Sequence, residues 1–267
     1  MAEWSNAAVL KTVVPRGTGG SNPSVSASKP PHCQAVFLCL YFKVNVLISN
    51  GLNVYLLPGM GADERLYEPI DIQYGTLHYM RWEYRKECKS LEDYAAFLCS
   101  NITTKNNVLI GSSMGGMVAV EMYKIQSFLG LVLLSAPSSV REFPFSLRLA
   151  GAFKLAHAIP KGIMFRMNRF ANTFMGFQNS EHEELFFEML ESYGPDFLHF
   201  AVKAIPDWKQ KNPPKDYLQI IGSKDRLFKT KRMKNPHVIE GSGHFMTFEQ
   251  PGILTELINE YLRGLVG

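Results

Sequence analysis

From Asn53 onward the chain alternates short apolar runs with stretches of helical period. Val54–Leu57, Val108–Ile110, Leu129–Leu134, Tyr217–Ile221 and His237–Ile239 are too short for helices and end at Gly, Ser, Pro or Glu-Gly, the texture of strands buried on both faces. Leu77–Trp82 is a further strand candidate. Between them lie helical patterns. Leu91, Tyr94, Ala95, Leu98 and Ile102 recur at helical spacing behind Ser90, with Asp93 three residues on, in the manner of a capping box. Met117–Tyr123 reads as a mostly buried helix, and Ile253, Leu254, Leu257, Ile258, Tyr261, Leu262 and Leu265 form one stripe behind Pro251, a first-turn proline. Asp63 is a natural N-cap for a helix opening near Ala62. Strands alternating with helices imply right-handed crossovers, hence an α/β fold with a mostly parallel central sheet and helices on both faces.

The rhythm breaks twice. Between about 140 and 214 no alternation appears, and Phe143, Phe145, Phe153, Met164, Phe165, Met167, Phe170, Phe174, Met175 and Phe177 crowd together. Because this stretch falls between two sheet strands, it is expected to be a helical cap whose Met-rich apolar surface receives a greasy group. At the other end, residues 1–50 are rich in Gly, Ser and Pro up to about residue 34 and carry no periodicity there, so they read as a disordered or spurious extension of a working domain spanning 51–267. Gly20 to Pro23 can be encoded by GGTTCGAATCC, which resembles the T-arm of a tRNA gene, so the segment also reads as a tRNA gene translated from a start placed too far upstream. The apolar Val36–Ile48 is a candidate edge strand.

Composition adds mainly exclusions. With 46% hydrophobic and 19% charged residues in 267, the chain can bury one large α/β core. The formal charge of +4 is no argument for nucleic acid, because Lys11, Arg16, Lys29 and Lys43 against Glu3 place +3 of it in residues 1–52. Cys33, Cys39, Cys88 and Cys99 show no C-x-x-C and no metal-ligand spacing, which fits either a reducing compartment or incidental core thiols, and a cytoplasmic setting is expected. Ala35–Ile48 is interrupted by Lys43 and Asn45 and falls short of the roughly 18 apolar residues that span a bilayer. No metal, organic cofactor, nucleic-acid partner or membrane span is expected; the oligomeric state is open.

One stretch carries chemistry. Gly111-Ser-Ser-Met-Gly115 is a G-x-S-x-G between an apolar strand and a buried helix, where the serine of a nucleophile elbow sits. Ser113 is the candidate nucleophile, with Asp225 after Gly222-Ser-Lys and His244 after Gly241-Ser-Gly following in order, each just past the carboxyl end of an expected strand. Ligands of such sheets bind at that edge. A serine hydroxyl needs an imidazole to take its proton, and the imidazole needs an acceptor on its other nitrogen. Glu240 is the alternative acid, four residues before His244 on the same loop; Asp216 precedes its strand and belongs to the opposite edge. The basic run Lys224, Arg226, Lys229, Lys231, Arg232 and Lys234 is either a solvated face or an attractor for an anionic substrate.

With these motifs the chain from about Asn53 to its end resembles the α/β-hydrolase superfamily, in particular small bacterial serine hydrolases. The resemblance implies an oxyanion hole from two backbone N–H groups, by position those of Met60 and Met114, although Pro58-Gly59 stands where many members have His-Gly. It implies a Ser–His–Asp hydrolase acting through an acyl-enzyme on a small-molecule ester or thioester with an apolar acyl group. An acyltransferase on the same fold and a non-catalytic binding protein are the alternatives.

Overall fold

Among the described residues six parallel strands make the sheet: β1 (Ile48–Leu57), β2 (Tyr74–Tyr79), β3 (Asn107–Ser112), β4 (Gly130–Leu134), β5 (Leu218–Gly222) and β6 (His237–Ile239), in the order β2-β1-β3-β4-β5-β6. The computed structural model describes residues 48–160, 175, 177 and 179–266, all within one compact unit, Val44–Gly267. Residues 1–47, with Cys33, Cys39, Lys43 and all but the last residue of the candidate edge strand Val36–Ile48, lie outside the described residues.

The central strands are buried on both faces, which is why they read as unbroken apolar runs: Val108, Leu109, Ile110, Leu131, Val132, Leu133 and Leu134 have essentially no exposed surface. Two boundaries differ from the sequence pattern. β1 starts at Ile48, before the expected domain start at 51, and bulges between Ile48 and Asn53 where Gly51 takes φ +76°. β2 occupies Tyr74–Tyr79 rather than Leu77–Trp82. Its strand ends where pairing with β1 ends, and the Trp82 indole then turns inward to donate to the Gly59 carbonyl at 3.1 Å.

The chain runs from β1 outward to β2 and then crosses to the other side of β1 for β3. The order therefore reverses at β1/β3, and the loops after these two strands diverge to leave a crevice at their carboxyl ends. Register brings the relevant ends level, pairing Leu57 with Gly111, Ser112 with Leu134 and Gly222 with Ile239. The Tyr67 hydroxyl, fully buried, donates to the Leu57 carbonyl at 2.7 Å and lies 3.3 Å from that of Ile110, tying β1 to β3 beneath the crevice.

Helix α1 (Leu91–Ser100) has the expected capping box, Ser90 Oγ accepting from Asp93 N–H and the Asp93 carboxylate accepting from Ser90 N–H. It packs on α2 (Met114–Ile125). Asp63 caps not an α-helix but a short 3₁₀ turn, Glu64–Tyr67. Between β4 and β5 the chain makes a helical insertion with α3 (Phe145–Ala152), α4 (Ser180–Glu191) and α5 (Pro195–Asp207). After β6 come the single turn α6 (Met246–Glu249) and α7 (Pro251–Gly264), whose Leu254, Ile258 and Leu262 are fully buried.

The aromatic residues of the insertion do not share one fate. Phe143 is buried against Trp208 and Phe228, Met175 and Phe177 pack on the core, but Phe145 and Phe153 are each 69% exposed. Those two line no interior surface. Met164, Phe165, Met167, Phe170 and Phe174 lie outside the described residues.

Candidate active site

Ser113 stands between β3 and α2 with φ 50° and ψ −118°, a conformation that costs an L-residue free energy and persists only where neighbours enforce it. Here they do. Ser113 N–H donates to the Leu134 carbonyl at 3.0 Å, and its carbonyl accepts from Gly116 and Met117 at 3.1 and 3.2 Å. Two glycines make the turn possible by what they lack: a Cβ on Gly111 would lie 2.6 Å from the Gly115 carbonyl oxygen, and one on Gly115 would lie 2.3 Å from those of Leu57 and Pro58. The second approach draws the loop after β1 against the elbow, so that a Cβ on Gly59 would be in ordinary contact, 3.4 Å, with that of Ser113.

That loop carries Met60. Neither the Met60 N–H nor the Met114 N–H donates a hydrogen bond among the described residues, and Met114 is the first residue of α2, whose leading N–H groups have no acceptor within the helix. Of these two unclaimed donors, one follows Ser113 at the start of α2 and the other lies on the loop after β1 that packs against the elbow.

Asp225 and His244 are brought together by the crossing of their own loops. Gly222 ends β5 so close to the other loop that a Cβ there would be 2.2 Å from the Ser242 carbonyl oxygen. Lys224 N–H donates to that same carbonyl at 2.8 Å, Ser223 N–H to Ile239 at 3.0 Å, and Gly241 N–H to Ser223 Oγ at 2.9 Å. The result is a 2.8 Å hydrogen bond between His244 Nδ1 and Asp225 Oδ2, with the residues 5% and 1% exposed. Asp225 Oδ1 accepts from Leu227 and Phe228 N–H at 2.8 and 2.9 Å. Burial pushes this carboxyl up, but the charge and hydrogen bond of His244 together with the two N–H groups outweigh it and hold it below the usual aspartate value. An ionised carboxylate can only accept, so the proton of a neutral His244 sits on Nδ1. Nε2 is left with its lone pair and makes no hydrogen bond among the described residues.

The rival acids are elsewhere. Glu240 is exposed without a bond to His244, and Asp216 is exposed ahead of β5. All six residues of the basic run are exposed, and Lys229 Nζ donates to the Asp225 carbonyl at 2.9 Å. Cys88 and Cys99 are buried free thiols; burial pushes both up, Cys99 to about 11, which disqualifies them as thiolate nucleophiles. Among the described residues no cluster of His, Cys, Asp or Glu could hold a metal ion, and no helix is long and apolar enough to cross a membrane.

Sequence reasoning missed Glu249. Its Oε2 accepts from Gly243 N–H at 2.5 Å and Ser242 Oγ at 2.8 Å, clamping the loop that presents His244. No local pattern in the sequence distinguished it from other carboxylates. Also missed was the aromatic group beside His244: Phe245 packs on Phe177, Phe186 and Phe248, and His182 of α4 lies against Phe248. Helix α4 also reaches the Met60 loop, with Leu190 filling the space a Cβ on Gly61 would need and the Tyr193 hydroxyl, just past the helix, donating to the Ala62 carbonyl at 2.9 Å. Two surface cavities, of about 1100 and 560 Å³, contain none of Ser113, Asp225 or His244, so the site is identified by its chemistry and not by volume.

Residues 38–257 match the model of an alpha/beta hydrolase family, a span that includes Ser113, Asp225, His244 and Glu249 and reaches ahead of β1. No curated protein sequence matches the chain. Solved structures share the fold at low identity. A thermophilic esterase from Thermogutta terrifontis is 19% identical with a TM-score of 0.57 over 82% of this chain and 92% of that one. MenH from S. aureus is 16% identical with a TM-score of 0.62 over 82% and 96%. The N-acyl homoserine lactonase AidH, in complex with N-butanoyl homoserine, is 14% identical with a TM-score of 0.59 over 82% and 91%. With an all-parallel six-stranded sheet, a strand–serine–helix turn at its switch point and a family model matched over most of its length, the chain belongs to the alpha/beta hydrolase family.

Proposed function

We propose that the protein is a serine hydrolase that cleaves a carboxylic ester or thioester through an acyl-enzyme. The observation that carries this reading is the pairing of His244 Nδ1 with buried Asp225, which leaves Nε2 as an unclaimed base, in a chain whose Ser113 stands strained on an elbow between strand and helix. In this mechanism Ser113 Oγ attacks the acyl carbon and His244 Nε2 takes its proton. Asp225 stays ionised and steadies the imidazolium. The developing oxyanion is received by the N–H groups of Met60 and Met114, each of which lowers the barrier by about 3 kcal/mol if it behaves as single oxyanion-hole donors do elsewhere. Collapse expels the alcohol or thiol, protonated by His244, and water repeats the sequence in reverse.

The insertion serves as a cap in this reading. Helix α4 touches both the Met60 loop and the residues after His244, so Phe177, Phe186, Phe245 and Phe248 supply an apolar wall for the acyl chain. Buried free thiols at Cys88 and Cys99 fit a cytoplasmic setting. The substrates named for structural neighbours, esters and an acyl homoserine lactone, belong to the same class of acyl-oxygen bond.

A fluorophosphonate probe tests the assignment. It should label Ser113, with Ser113→Ala abolishing labelling and turnover while the buried Ser112→Ala retains much of both. The opposite pattern would overturn the reading.

A further inference from the structure

Helix α3 turns much of its apolar bulk outward. Gly151 lies so close to α5 that a Cβ would come within 2.0 Å of the Pro206 carbonyl oxygen, and Ala150 is half-buried beside it. Leu147 packs on the core, but the other large apolar residues face away. Phe145, Leu149 and Phe153, spaced four apart on one stripe, are 69%, 40% and 69% exposed, and Leu155 just beyond the helix is 52% exposed. Three large apolar side chains on one helical stripe, two of them the most exposed of their kind among the described residues, mark a contact site.

Charge identifies what the stripe meets. Arg148 flanks it, and Arg148 and Lys154 line one groove together with Lys89, Lys209 and Lys211, all five exposed. The carboxylates in that groove are Glu92 and Asp207, and Asp207 is paired with His157 at 2.7 Å. Arg141, at the start of the insertion, is exposed as well. An apolar helical stripe bordered by a surplus of cations is the pattern of a helix that lies in a membrane interface, its apolar side chains among the acyl chains and its cations at anionic headgroups.

We propose that the outward face of α3 docks the protein on an anionic lipid surface. The proposal is independent of the catalytic assignment, since none of these residues belongs to the candidate site.

The test is co-sedimentation of the full chain with vesicles of phosphatidylcholine alone and of phosphatidylcholine with about one-third phosphatidylglycerol, at low and high salt. The wild type should bind the anionic vesicles, weakly bind the neutral ones, and lose affinity as salt rises. Phe145→Ser/Phe153→Ser should lower the partition constant at least ten-fold, and Arg148→Glu/Lys154→Glu should remove the preference for anionic lipid. Both double variants change exposed side chains, so thermal unfolding should match the wild type and hydrolysis of a water-soluble ester should be unchanged. No binding by folded wild type, or equal binding by the Phe145→Ser/Phe153→Ser variant, overturns the proposal. So does light scattering that shows a dimer which the same variant dissociates, because the stripe then pairs with a second copy of the chain.

Discussion

His244 Nδ1 lies 2.8 Å from Asp225 Oδ2 in a buried setting, and Asp225 spends its other oxygen on two backbone N–H groups. One carboxylate thus fixes the tautomer of the imidazole while the turn fixes the carboxylate. Asp225→Asn keeps the shape and loses the acceptor that holds the Nδ1 proton, so kcat for ester hydrolysis should fall by about 10³- to 10⁴-fold with little change in KM. Retained activity would point to another acid.

The same contact makes stability depend on pH. The Asp225 carboxyl is held below its usual value in the folded protein, so its contribution is fully present above the unfolded-state value of about 3.9 and is lost as pH falls through the lower folded value. The difference in Tm between wild type and Asp225→Asn should therefore shrink as pH falls below about 4. Thermal unfolding between pH 5 and 2 checks it, and a difference that grew over that interval would contradict the assignment.

Glu249 offers a second handle on the histidine loop. Glu249→Ala strands the Gly243 N–H and the Ser242 hydroxyl, and should cost about 1–3 kcal/mol in urea unfolding, whereas Glu249→Gln retains an acceptor and most of the stability. Equal stability of Glu249→Ala and wild type would show that the clamp contributes nothing.

Glycines at the elbow and in the last helix should respond in opposite directions. Gly115→Ala drives a methyl group into the Leu57 and Pro58 carbonyls, backbone that cannot yield without moving the Met60 loop, and should destabilise by about 1–3 kcal/mol and depress turnover. Gly252→Ala, in the first turn of α7 with open space around it, should stabilise by up to about 1 kcal/mol. Denaturant midpoints for the pair decide between strain and mere composition.

If the aromatic wall beside His244 receives the acyl chain, kcat/KM should rise from acetyl to octanoyl esters, each buried methylene adding up to about 0.8 kcal/mol. Phe186→Ala should flatten that rise more than it lowers the acetyl rate. A profile flat or falling in the wild type would remove the wall from the substrate's path.

What the sequence by itself determined were features set within one helical turn or one strand. The Ser90–Asp93 box, the unbroken apolar runs of β3 and β4, the glycines around Ser113 and the stripe of α7 each depend on neighbours a few residues away, and their alternation implied a parallel sheet. Tertiary structure alone decided which residues face one another. Phe143 and Phe145 are alike in sequence, yet one is buried against Trp208 and the other stands in solvent, because Pro144 turns the chain into a helix whose Gly151, not its phenylalanines, meets α5. Glu249 could not be told from any other surface carboxylate until the Ser242–Gly243 backbone was seen to close on it. The true lengths of β1 and β2 likewise followed from their mutual pairing rather than from their own residues. Periodicity reports only the burial of a face; the identity of what buries it is a property of segments far apart in the chain, which only the folded structure brings together.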